Sequence, residues 1–164
     1  MSFDIKTDNS LAKKEKYIAL IPQLNSLIED EKNFIANLAN ITSALKYTFE
    51  DFLWVGFYLR DFENEDEIVL GPFQGRVACT RMALSKGVCG TSAQRQETIL
   101  VEDVDKFPGH IVCDSLSRSE IVIPVIKNGE TVAVLDIDSD KLNNFDLTDK
   151  KYLEEIINNI THIF

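Results

Sequence analysis

Asn128-Gly129 stands between two runs of branched and aliphatic residues, "SEIVIPVIK" and "ETVAVLDID". A type I′ turn needs positive φ at both central residues, which Asn and Gly accept with least strain, so the pair predicts a tight β-hairpin. Pro124, in the first arm, has no N–H to give to a ladder and predicts an edge or a bulge there. Upstream, "FLWVGFYLR" and "DEIVLGPF" are rich in aromatic and branched residues. They flank the polar stretch 61–65, which reads as a turn between two further antiparallel strands.

Both ends of the chain have a different period. In residues 32–49, Phe34, Leu38, Ile41 and Leu45 recur at three- and four-residue steps, which predicts an amphipathic helix. Before it, Ser10 reads as a capped start, and Tyr17, Leu20, Leu24 and Ile28 form a second stripe interrupted at Pro22, so a kinked helix or two short ones is expected. The tail carries Tyr152, Leu153, Ile156, Ile160 and Ile163 at helical spacing, with Thr148 as its N-cap. A helical region 10–49, a sheet with its loops over 52–140 and a helix over 147–163 make an α+β fold, with terminal helices packed on one face of an antiparallel sheet. At 164 residues, 45% of them hydrophobic, the chain suits one core, so residues 1–164 read as a single domain.

The formal net charge of −10 repels phosphate backbones and anionic lipid, and no run of Lys or Arg offsets it locally, which argues against nucleic acid and membrane as partners. The N-terminal stretch is polar and charged, and no apolar run approaches the ~20 residues of a membrane span, so a cytoplasmic protein is expected. In a reducing compartment the three cysteines, Cys79, Cys89 and Cys113, are not a secreted disulfide framework.

Burial, metal binding and reactivity remain for these thiols. Cysteine is by default a small buried apolar group, but Cys89 lies beside Gly87 and Gly90, and Cys113 follows Pro108-Gly109, both loop-like surroundings. A zinc site would use close ligand pairs, and only His110 and Cys113 are close here. In "DIDSDKLNNFDL", Asp136, Asp138 and Asp140 fall at calcium-loop positions, but Lys141 replaces the required Gly and Leu147 the bidentate Glu, so no metal is expected. On a strand, Asp136 and Asp138 share a face, where two carboxylates raise each other's proton affinity. Thiols beside such carboxylates suit redox chemistry: a thiolate attacks an electrophilic sulfur or oxygen and a second thiol rescues the sulfenic acid as a disulfide.

The phrases "WVGFY", "GPFQGRVACTRMALSKGVCGTSAQRQ", "GHIVCDSLSRSEIVIPV" and "GETVAVLDIDS" strongly resemble the free methionine-(R)-sulfoxide reductases, which are single GAF domains. The resemblance implies a six-stranded antiparallel sheet, a homodimer, and reduction of free methionine-(R)-sulfoxide with no bound cofactor. Its reductant would be thioredoxin, fed indirectly by NADPH. It assigns Cys113 as nucleophile, Cys79 as resolving thiol, and Cys89 as an alternative resolving or relay thiol. Glu120, Asp136 and Asp138 would bind substrate and supply the proton that leaves with the sulfoxide oxygen, and Trp54 and Tyr58 would cover its methyl-thioether end. For the substrate carboxylate, the backbone N–H groups of 109–113 and Arg118 compete, and His110 either tunes the nucleophile or lines the loop. The competing function is a GAF module that senses a small ligand without catalysis.

Overall fold

The computed structural model describes residues 4–61 and 63–164; residue 62, inside the expected turn 61–65, lies outside them. Helices α1 (Lys13–Ile28) and α2 (Phe34–Thr48) precede strands β1 (Trp54–Arg60), β2 (Glu67–Gln74) and β3 (Arg81–Ala83). Helix α3 (Gly87–Arg95), strands β4 (Ile99–Val101), β5 (Ser119–Lys127) and β6 (Glu130–Ser139), and helix α4 (Leu147–Ile160) follow. The six strands form one antiparallel sheet in the order β3-β2-β1-β6-β5-β4. Among the described residues no helix is long and apolar enough to cross a membrane.

The hairpin forms as expected, with Asn128 at φ 55° and Gly129 at φ 83°. Pro124 fits its constraint. Short β4 pairs β5 only as far as Val122, so Pro124 lies where that side of β5 has no strand partner, just before a register shift at Val125/Ile126. Alternation then sorts the sheet. Val55, Phe57, Ile121, Ile123, Val125, Ala133, Leu135 and Ile137 point into a core with α1, α2 and α4, while Trp54, Tyr58, Val122 and Val134 point the other way. α3 packs on that second face, against β5 and β6.

Of the two alternatives at Pro22, one helix rather than two short ones forms: α1 runs through it, and Pro22 is exposed, so the Ile18 carbonyl it strands faces solvent. Two local expectations are corrected. Ser10 does not cap that helix, since its hydroxyl donates to Asp8 Oδ1 at 2.6 Å and α1 begins at Lys13, where Glu15 accepts from the Ala12 N–H. Thr148 does not cap α4. Asp146 does, accepting from the N–H groups of Thr148 and Asp149, and Asp149 returns the contact to the Asp146 N–H at 2.9 Å.

Asp149 also ties the two ends of the chain together. It is fully buried, with Lys13 Nζ 2.5 Å from one oxygen and the Tyr17 hydroxyl donating to the other at 2.8 Å. Asp149→Ala leaves the buried Tyr17 hydroxyl without its acceptor and Lys13, one-third exposed, with Asp146 alone, so it is expected to cost about 1–3 kcal/mol. Urea denaturation checks this: the midpoint falls with the slope unchanged. A double replacement, Lys13→Met with Asp149→Leu, recovers most of the loss if the pair, and not the cap alone, is responsible.

Candidate active site

The register of the central strands assembles the site. Asp138 pairs with Trp54 on one side and Glu120 on the other, and Asp136 pairs with Gly56 and Val122. All three carboxylates and both aromatics therefore share the face turned away from α1, α2 and α4. Gly56 is needed there, because a Cβ would run into the Trp54 ring, which lies back over the strand.

The loops that close this face carry the sulfur. Cys79 (between β2 and β3) and Cys113 (before β5) are joined by a disulfide with their Cα atoms 5.4 Å apart. The aromatics hold the Cys79 loop at two points: the Trp54 indole N–H donates to the Arg76 carbonyl at 3.0 Å, and the Tyr58 hydroxyl to the Cys79 carbonyl at 3.1 Å. Cys89 is not on a loop. It lies in the first turn of α3 and is only 3% exposed, its Sγ 3.9 Å from Glu120 Oε1. Gly90 lets α3 sit this close, since its Cα faces the Ala83 carbonyl with no room for a side chain.

Trp54, Tyr58, Met82, Val88, Cys89, His110, Cys113, Asp114, Ser117, Glu120, Asp136 and Asp138 line one cleft. About 30 Å³ of it admits the centre of a water molecule, room for one or two waters while the two sulfurs are joined. Arg118 is exposed and does not line it, so of the two expectations for the substrate carboxylate only the 109–113 loop stays at the cleft. Asp114, Ser117 and His110 reach it through that loop and the approach to β5. Neither Asp114 nor Ser117 has a periodicity or spacing that marks it in the sequence.

The electrostatics raise the proton affinity of all three carboxylates, to different extents. Burial pushes Glu120 well above the usual carboxylate range, and the charges of Asp136 and Asp138 push it further. Burial and then the Asp138 charge do the same to Asp136, whose Oδ1 is buried with no hydrogen-bond partner. Asp138 rises only to about 6, because the Ser117 hydroxyl donates to it and opposes burial. Burial, Asp136 and Glu120 push the Cys89 thiol well up. His110 Nε2 is 4.0 Å from Glu120 Oε2, and burial lowers the imidazole below its ordinary value. Donor atoms of Cys89, Glu120 and Asp136 lie within 4.8 Å of one another, a set able to share a proton or receive a cation.

Known proteins give this arrangement a context. The model of the GAF domain matches residues 38–164. "GAF domain-containing protein A" of Dictyostelium discoideum is 58% identical, covering 89% of this chain and 90% of its own length. A "Free methionine-R-sulfoxide reductase" of Saccharomyces cerevisiae is 40% identical over 93% of this chain and 87% of its own. Among solved structures, the free methionine-R-sulfoxide reductase of Neisseria meningitidis in complex with its substrate superposes with a TM-score of 0.95 at 44% identity, over 99% of this chain and 96% of that one.

Proposed function

Because this chain belongs to the free methionine-R-sulfoxide reductase family of GAF-domain proteins, we propose that it reduces free L-methionine-(R)-sulfoxide by a thiol mechanism recycled by thioredoxin. The observation that carries the mechanism is the Cys79–Cys113 disulfide, set in one cleft with three carboxylates, of which Glu120 and Asp136 are pushed by burial well above the usual carboxylate range.

In the reduced protein the Cys113 thiolate attacks the sulfoxide sulfur. The S–O bond breaks poorly unless its oxygen is protonated, and the Glu120–Asp136 pair holds that proton where the oxygen must sit. The protonated oxygen leaves as water, a water oxygen then attacks Cys113 Sγ and gives up a proton, and methionine departs with the electron pair of the bond it had made to Cys113, leaving a sulfenic acid. The Cys79 thiol then attacks that sulfur and water departs, giving the disulfide. Trp54 and Tyr58 line the wall that receives the methyl-thioether end.

Recycling needs a dithiol to open the disulfide. Both of its cysteines are half-buried, and Val77, Val112 and Leu116, within three residues of them in the chain, expose apolar side chains suited to docking a thioredoxin. Cys89 is too deep for that exchange, so its thiol serves as a partner of Glu120 and the main route runs through Cys79 and Cys113. A homodimer, a cytoplasmic location and NADPH as the ultimate electron source complete the proposal.

The test is consumption of each epimer of free methionine sulfoxide, and of a peptide-bound sulfoxide, with a thioredoxin system. Turnover confined to the free R epimer is expected. Thiol-intact protein that turns over none of them would sink the enzyme reading and favour a ligand-sensing module.

A further inference from the structure

Beside the nucleophile lies a second buried acid that the chemistry above does not use. The Asp114 side chain is 9% exposed. Its Oδ1 accepts from the Leu116 N–H at 3.0 Å and from Arg76 Nη1 at 3.3 Å. Its Oδ2 is buried, has no hydrogen-bond partner, and belongs to a residue lining the cleft. A buried carboxylate oxygen left bare in this way costs stability unless something arrives to donate to it.

The inference rests on the proposed substrate, a free amino acid, whose α-ammonium is four bonds from the sulfur that Cys113 attacks. An acceptor for that ammonium must therefore lie close to Cys113, and Asp114 is the next residue in the chain. The other acids of the cleft are engaged: Glu120 and Asp136 are held towards their neutral forms, and Asp138 already accepts from Ser117.

We infer that Asp114 Oδ2 is the binding site for the substrate's α-ammonium, oriented by Arg76 and the Leu116 N–H, and that it selects the free amino acid over N-acylated and peptide-bound sulfoxides. An amide nitrogen at that position carries no positive charge to meet the carboxylate. Arg76 is a positioning residue here, acting through Asp114.

Asp114→Asn tests this with least disturbance, since Asn keeps the Oδ1 acceptor for Leu116 and Arg76 and replaces only Oδ2. With dithiothreitol as reductant, the variant is expected to raise KM for free methionine-(R)-sulfoxide about 10- to 100-fold, the range for a hydrogen bond to a charged group, with kcat little changed. For N-acetylmethionine-(R)-sulfoxide, kcat/KM should not fall. Calorimetric titration of the reduced proteins with L-methionine gives a second readout that needs no turnover, and it should show the same loss. Arg76→Met, which leaves Oδ2 in place but frees its orientation, should produce a smaller rise in KM. Equal losses on both sulfoxides, or unchanged methionine affinity in Asp114→Asn, would overturn the inference. Methionine binding that depends on Asp114 in a protein without turnover would instead overturn the reductase reading and leave this site standing.

Discussion

Cys113→Ser protein is expected to reduce no methionine sulfoxide above background, a fall of at least about 10³-fold. A serine hydroxyl is not appreciably ionised in this cleft and cannot carry the oxygen as a sulfenic acid, so both the attack and the intermediate are lost. Fold and substrate affinity should survive, because the side chain differs by one atom and the reduced state already lacks the S–S link. Cys79→Ser should behave differently. Its Cys113 is intact, so one methionine forms per protein and the reaction then stalls with a sulfenic acid that a dimedone-type reagent captures. A rapid-quench burst of one equivalent, followed by a negligible steady rate, is the signature. Sustained turnover in Cys79→Ser would mean that Cys89 resolves the intermediate despite being 3% exposed on α3.

The parts of this molecule visible in its sequence are those with a short-range physical signal. Asn128-Gly129 specifies its turn locally, and the two-residue step from Asp136 to Asp138 puts both acids on one face of any strand that contains them. Strand pairing then adds Glu120 opposite Asp138, a fact no local pattern carries. Helix α3 escaped because Gly87 and Gly90, which read as loop residues, are there for other reasons. Gly87 has φ 59° at the helix start, and Gly90 faces the Ala83 carbonyl. The Lys13–Asp149 pair and the bare oxygen of Asp114 depend on contacts between distant or irregular segments, for which sequence spacing offers no guide. Asp146 and Thr148, two residues apart, are both good caps for α4, and only the reciprocal contact from Asp149 decides for Asp146.

Removing a proton donor from the carboxylate cluster is the second large effect, and the structure distinguishes its members. Asp138, raised only to about 6, is mostly ionised at neutral pH, whereas burial and neighbouring charge hold Glu120 and Asp136 well above the usual range. Glu120→Gln and Asp136→Asn are therefore each expected to lower kcat about 10²–10⁴-fold at pH 7, the usual span for loss of general acid catalysis, and Asp138→Asn less. In the wild type, kcat/KM should fall as pH rises through the ionisation of the Glu120–Asp136 pair, which titrates as a unit. Stability follows the same sign. A carboxyl whose folded value is raised favours the folded state at low pH, and that contribution is lost as pH rises: for Asp138 between 3.8 and about 6, and for Glu120 and Asp136 further up the scale. Asp136→Asn should thus melt higher than wild type at pH 8 while being nearly inactive, because the amide occupies the same buried place with no charge to desolvate. Thermal melts at pH 5 and pH 8 beside the pH–rate profile check both halves. A variant that melts lower at pH 8 would show that Asp136 is ionised and paired in the resting protein, and the proton would then have to come from Glu120 alone.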